Sequence, residues 1–212
     1  MNTGLQIYLV DDQPAILKAL TRLLNSAGYA VQSFASASAF LASVDAQAEG
    51  CLILDLAMPE MSGLALQQAL SERASLLPVI FLTGHGDIDT GVRAMKLGAA
   101  DFLTKPVDAE RLLAAVAQAC ASNRRARDAD QELAAIRQRM ATLTPRETEV
   151  LDLIIEGLLN KQVAATLGAA EKTIKVHRAR VMAKMEVRSL AALVRMVDRV
   201  RQRQHQQPPP AT

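Results

Sequence analysis

Four places in this 212-residue chain put a chemically capable side chain at or just beyond the end of a short apolar run. Asp11 and Asp12 follow Ile7 to Val10, Asp55 follows Cys51 to Leu54, Thr83 follows Val79 to Leu82, and Lys105 comes soon after Phe102 and Leu103. If these runs are parallel strands in the order 2-1-3-4-5, the five side chains become near neighbours. Adjacent strands lie only ~4.8 Å apart, and ligand sites form beyond their carboxyl ends. Three carboxylates that close cannot all ionise comfortably without a cation. Mg²⁺, which takes oxygen ligands and often shares a phosphate, resolves the conflict. The set then suits phosphoryl transfer to a carboxylate. An aspartate forms an acyl phosphate, while metal and lysine neutralise the transferred oxygens and a threonine hydroxyl hydrogen-bonds one of them. Taken singly these residues say little, because Asp pairs cap helices and a lone lysine is usually solvated; their joint placement at strand ends carries the reading. A phosphatase or dehydrogenase fits less well. The first strand ends in adjacent Asp-Asp rather than D-x-D, and no G-x-G-x-x-G, ATP-binding loop or catalytic histidine is visible.

A second set lies between residues 171 and 185. Ile174, Val181 and Met185 share one side of a helix, leaving Lys172, Lys175, Val176, Ala179 and Ala183 on the other. A narrow cationic face of small residues suits a helix entering the major groove, with lysines for base edges or phosphates and Val176 for a thymine methyl. Thr173, Arg178, Arg180, Lys184 and the more distant Lys161 are placed for phosphates. Charge alone leaves open a plain helical bundle with a solvated basic face.

The elements that must hold these residues are legible in outline. Strands at Ile7–Val10, Ala30–Phe34, Cys51–Leu54, Val79–Leu82 and Phe102–Leu103 alternate with helices at about 14–26, 36–44, 63–73, 87–97 and from 108 onward. No hairpin signal intervenes. Pro14 suits a first helical turn, and Gly28 and Gly98 suit helix ends. The expected fold is α/β: a five-stranded, doubly wound parallel sheet of flavodoxin-like order, then a C-terminal all-α helix-turn-helix domain joined by a long helical linker. From Val107 to Thr144 there is neither Gly nor Pro, and Leu133, Ile136, Met140 and Leu143 form a heptad-like stripe, either a short coiled coil or a face packed on the next domain. Thr144, Pro145 and Glu147 make a capping box opening a helix with a buried face from Val150 to Leu158. Short helices follow at Lys161–Leu167, with Asn160 as cap and Gly168 as stop, at about Glu171–Met185, and from Ser189 to about Arg201. The expected division is 1–121 for the phosphoacceptor domain, 122–142 for the linker, 143–201 for the DNA-binding domain and 202–212 for a disordered tail.

Composition bounds the rest. Residues 1–122 hold 7 Lys+Arg against 12 Asp+Glu, net −5, whereas residues 123–212 hold 17 against 10, net +7. Only the second half has the sign of a polyanion binder. Cys51 and Cys120 sit in apolar surroundings and read as reduced core thiols of a cytoplasmic protein. No run of 18 apolar residues and no signal peptide is present, so the expectation is a soluble chain with no membrane partner.

Four motifs, VDD at 10–12, LDLAMPEMSG at 54–63, LTGHGD at 82–87 and DFLTKP at 101–106, make residues 5 to about 121 resemble a two-component response-regulator receiver domain. The resemblance implies Asp55 as phosphoacceptor and Asp12 and Asp55 as direct Mg²⁺ ligands with the Ala57 carbonyl. It implies Asp11 acting largely through water, Thr83 and Phe102 as a switch pair, and Lys105 as phosphate counter-ion. Ala57, Gln13 and Val107 depart from the commoner residues at their positions. LTPRETEVL, EGLLNKQVAATLG and TIKVHRARVMAKM, within about residues 143–200, resemble the LuxR-type helix-turn-helix of the NarL/FixJ regulators; the GHGD loop and long interdomain stretch favour the FixJ-like branch. This implies a recognition helix at 171–185 and dimer contacts on DNA from the helix after Ser189. Ala170 replaces the usual Ser or Thr cap of the recognition helix. The whole implies a phosphoprotein of transcription regulation, not an enzyme. Its partners would be a sensor histidine kinase, a double-stranded operator, a second copy of itself on activation and RNA polymerase. The dimer face would be the helix at 87–97, with Ile88, Val92 and Met95, and the strand at 101–104.

Overall fold

A computed structural model describes residues 5–84 and 88–206, with side chains from 5 to 84 and from 91 to 203. The first ten elements are β1 (Gln6–Val10), α1 (Pro14–Ser26), β2 (Ala30–Phe34), α2 (Ala37–Ser43), β3 (Cys51–Asp55), α3 (Gly63–Glu72), β4 (Val79–Thr83), α4 (Ile88–Lys96), β5 (Asp101–Thr104) and α5 (Ala109–Ala141). All strand pairs are parallel, in the order β2-β1-β3-β4-β5, with Val10 beside Leu54, Asp55 beside Leu82 and Thr83 beside Thr104. The expected strands and their order are therefore those observed.

β3 and β4 are buried at every position, which is why they read as unbroken apolar runs rather than alternating ones. Their odd and even side chains feed two separate cores. Leu52, Leu54 and Phe81 pack with Phe40, Leu66 and Leu70 on one face. Ile53, Ile80 and Leu82 pack with Leu24, Leu112 and Val116 on the other, where Cys51 and Cys120 lie as free buried thiols. Burial holds the Cys120 thiol up at about 11 and raises that of Cys51, so neither is a ready nucleophile.

The chain divides into two compact units, Met1–Asp128 and Ala129–Thr212, and the division falls inside α5. The expected boundary at residue 121 lies on the same helix, before that division. Asn123, buried, receives the Gly50 N–H at 3.1 Å and donates to the Leu76 carbonyl at 2.7 Å. Arg127 binds Glu49 at 3.0 Å and the Gln47 carbonyl at 2.7 Å, so α5 stays tied to the loops before β3 and β4 beyond residue 121.

The second unit contains α6 (Pro145–Ile155), α7 (Asn160–Leu167), α8 (Glu171–Lys184) and α9 (Leu190–Gln206) around one core. Ile136 lies fully in that core and Leu133, Met140 and Leu143 pack against it. The stripe is therefore a packing face of this unit, and the coiled-coil alternative falls away. Asn160 is not the cap of α7 but its first residue. Leu159 is the cap, its N–H donating to Gln162 Oε1, and Asn160 Oδ1 instead accepts from Arg178. α9 also extends to Gln206, past its expected end near Arg201. Salt bridges of Arg199 with Glu132, Arg201 with Asp152 and Arg203 with Asp130 bind this polar stretch, which has no apolar periodicity to announce it. The rest of the expected tail, 207–212, lies outside the described residues, as do His85, Gly86 and Asp87 of the GHGD loop.

Candidate phosphoacceptor crevice and DNA-facing helix

The topological reversal lies between β1 and β3, so the loops after these strands open a crevice there. Asp11, Asp12 and Asp55 sit at its mouth, and Lys105, delivered by the end of β5, reaches into it. Lys105 Nζ donates to Asp11 Oδ2 at 2.6 Å and to Asp55 Oδ1 at 2.7 Å. Asp11 Oδ1 accepts the Gln13 N–H at 2.8 Å, and Asp55 Oδ2 the Ala57 N–H at 3.1 Å. Asp11 is completely buried and both its oxygens are engaged, which makes it the anchor of Lys105.

One ammonium among three carboxylates leaves the crevice net negative, and the ionisation of its members reflects that excess. Burial raises the Asp55 carboxyl above its ordinary range; the hydrogen bond and charge of Lys105 oppose the rise and the charge of Asp11 adds to it. For Lys105, burial pulls the other way, but hydrogen bonds to Asp11 and Asp55 and the charges of both raise it above its ordinary value. With every carboxylate ionised, one ammonium leaves two negative charges unmatched, which a divalent cation would balance.

The donor set fits a hard divalent cation at one point in particular. Asp12 Oδ1 is enclosed and has no hydrogen-bond partner, an acceptor left unsatisfied where burial makes that costly. Oxygen donors are what such a cation takes. Among the described residues no three His, Cys, Asp or Glu side chains gather closely enough to enclose a metal by themselves, so backbone and water oxygens would have to complete the shell.

Two glycines shape the crevice and its surroundings. A Cβ on Gly63 would stand 2.5 Å from the Asp55 carbonyl oxygen and 2.9 Å from the Phe81 ring, so only glycine lets α3 start against the back of the aspartate. Gly91 of α4 lies under Phe102, whose ring would be 3.3 Å from a Cβ there. Thr83 is buried, and Phe102 is half-buried between the sheet and α4. On α4 Val92 and Met95 remain 46% and 49% exposed, too open to be explained as core. The side chain of Ile88 lies outside the described residues.

In the second unit Ile174, Val181 and Met185 are fully buried, which turns Lys172, Thr173, Lys175, Val176, Ala179, Arg180 and Ala183 outward. Lys175 is paired with Glu171 at 3.2 Å, and Lys161 is exposed on α7. Two of the residues expected at phosphates have partners within the protein. Lys184 Nζ donates to Glu147 Oε2 at 2.6 Å and to the Thr142 carbonyl at 2.8 Å, and Arg178 spends one arm on Asn160. Glu147 also accepts the Thr144 N–H, and Thr144 Oγ1 accepts that of Glu147, the expected capping box. The Lys184 and Thr144 hydrogen bonds hold its carboxyl down at about 2. No local pattern announces the Glu147–Lys184 pair, because its members are 37 residues apart.

Comparison with known proteins meets this geometry from the other side. Residues 7–117 match the family model described as response regulator receiver domain, and residues 141–197 match bacterial regulatory proteins, luxR family. The chain belongs to the two-component response regulators. Over 195 residues the regulator is 45% identical to the response regulator protein TodT of Pseudomonas putida, covering 92% of this chain and 86% of TodT. It is 43% identical to the transcriptional regulatory protein FixJ of Azorhizobium caulinodans, covering 92% and 93% of the two chains. Among solved structures, the response regulator StyR shares 44% identity at a TM-score of 0.84, over 92% of this chain and 99% of that one. The regulator therefore pairs a receiver with a LuxR-type DNA-binding domain, and no helix among its described residues is long and apolar enough to cross a membrane.

Proposed function

We propose that this response regulator accepts a phosphoryl group on Asp55 from a phosphohistidine of a sensor histidine kinase and thereby controls transcription from an operator in the cytoplasm. The observation that carries the reading is the single ammonium shared by Asp11 and Asp55 beside the orphaned oxygen of Asp12. An Asp55 oxygen attacks phosphorus, the P–N bond breaks as the P–O bond forms, and the imidazole leaves. Mg²⁺, held by Asp12, Asp55 and the Ala57 carbonyl, would supply charge neutralisation at the transferred oxygens. Asp11 keeps Lys105 in place, so that its ammonium moves from the free carboxylate to a phosphoryl oxygen without crossing the site. Thr83 and Phe102 then rearrange, and the α4–β5 face with Val92 and Met95 pairs two receivers. Two DNA-binding domains are thereby offered to two half-sites, with α8 as recognition helix and α9 adding dimer contacts. Operator occupancy is then read out through RNA polymerase.

Acetyl phosphate supplies the test. Mass spectrometry should find one added phosphoryl group on the wild type in Mg²⁺ and none on Asp55→Asn or in excess chelator. Undiminished labelling of the variant, or labelling without a divalent ion, overturns the assignment.

A further inference from the structure

His177 lies on α8 between Thr173, four residues before it, and Arg180, three residues after it, and all three share one flank of the helix. That flank adjoins the exposed face of Lys172, Val176 and Ala179 without being part of it. In a helix laid in the major groove the centre of the face meets base edges, and its flanks meet the sugar-phosphate walls. His177 is half-buried and its two nitrogens are in opposite situations. Nδ1 is sealed from solvent and has no hydrogen-bond partner. Nε2 has no partner within the described residues either, but it is not enclosed. A neutral imidazole must place its one proton on one of these nitrogens. A proton on Nδ1 would be a buried donor with nothing to receive it, a situation folded proteins avoid more strictly than a buried unsatisfied acceptor. A proton on Nε2 leaves Nδ1 a bare lone pair and presents a single N–H to the outside.

We propose that His177 is a further DNA-binding residue, in which burial of Nδ1 fixes the Nε2–H tautomer and aims that donor at a backbone phosphate oxygen. The inference rests on α8 being the recognition helix. Thr173 and Arg180 flank the same phosphate track, one with a hydroxyl and one with a charge, and His177 adds an uncharged donor between them. A neutral donor displaces no counterion, so its contribution is independent of salt, in contrast to that of a lysine.

The full-length protein carries the test. The chain has three histidines, so the His177 signals are assigned by their loss in His177→Gln. Long-range ¹⁵N–¹H correlation should report the Nε2–H tautomer at neutral pH. His177→Ala should bind operator and random DNA about five- to tenfold more weakly, with an unchanged slope of log affinity against log salt. His177→Gln, whose amide nitrogen reaches the place of Nε2, should stay within about twofold of wild type. Matched thermal melts of the two variants exclude a general folding loss; if His177→Ala melts lower, the comparison passes to His177→Asn, whose amide stops short of that place and should lose binding like Ala. An Nδ1–H tautomer, equal losses for Gln and Asn, or a slope reduced by about one charge each overturns the proposal. The recognition-helix reading is judged separately: if Lys172→Ala and Lys175→Ala also leave operator binding intact, that reading has failed, whereas their loss with His177→Ala silent condemns only the histidine.

Discussion

Two lysines that look alike in composition have opposite duties. Lys105 is held in a crevice with more negative than positive charge, available to whatever anion arrives on Asp55. Lys184 is seated on Glu147 and on a backbone carbonyl, where its charge is already spent. It therefore ties the C-terminal end of α8 to the start of α6, and a lysine matched in this way is expected to release no counterion on binding DNA. Lys184→Met should lower both the melting temperature and operator affinity while leaving the salt slope of binding unchanged; a slope lower by about one would restore the phosphate contact expected from the sequence. The same pair makes stability depend on acid. Glu147 titrates at about 2 instead of 4.5 in the folded chain, so its contribution is complete above about pH 4.5 and is lost as the pH falls toward 2. Between pH 6 and 3 the wild type should lose more melting temperature than Glu147→Gln, and parallel losses would show that the carboxylate is not responsible.

α8 begins without a side-chain cap. Ala170 already has the extended backbone of a capping residue, φ −71° and ψ 142°, and its carbonyl accepts the first helical N–H groups, yet it offers no side-chain acceptor. Ala170→Ser supplies one and should stabilise the C-terminal domain by about 1 kcal/mol, raising its melting midpoint by roughly 4–8 °C for a domain of this size. An unchanged midpoint would mean that solvent satisfies those donors equally well. The face of the same helix divides its labour. Lys175 and Val176 are both on the exposed surface of α8, whereas Lys161 belongs to α7. Lys175→Ala should cost about 1–3 kcal/mol on the operator and relax sequence preference, while Lys161→Ala weakens all DNA similarly. Competition binding against random DNA distinguishes them, and equal losses for Lys175→Ala on both would remove it from base reading.

Across the whole molecule, the proposed mechanism requires phosphorylation only to shift a monomer–dimer equilibrium. The exposed Val92 and Met95 give α4 an apolar surface, and the Phe102 ring lying over Gly91 connects it to β5 and hence to the crevice. Beryllofluoride, a phosphoryl mimic, should convert the wild type from mostly monomer to dimer in sedimentation, with Thr83→Ala blunting the change. A protein that stays monomeric with Asp55 fully modified, yet gains operator affinity, would replace this mechanism with relief of inhibition within one chain. The stripe from Leu133 to Leu143 is committed to the C-terminal core, so no second helical seam is assigned to the dimer.

The sequence by itself determined the strands and the residues at their carboxyl ends, because apolar runs, glycine and proline positions and capping boxes are local signals; the strand order entered there as a condition of the doubly wound fold and is fixed by the sheet pairing. It also determined which side of α8 is buried, since helical periodicity needs only a dozen residues to declare itself. What tertiary structure alone decided are pairings across long separations. Lys105 meets Asp11 across 94 residues, Lys184 meets Glu147 across 37, and Asn123 binds Gly50 across 73. Asp11 and Lys105 were marked by their places at strand ends, but Asn123, Glu147 and Lys184 do not differ in type or spacing from residues with no distant partner, so only the folded chain shows which charge is available to a ligand and which is already matched. The end of α9 belongs with them: a run of Arg and Gln without apolar residues is helical to Gln206, and the carboxylates of Asp130, Glu132 and Asp152 that pair with its arginines come from other helices.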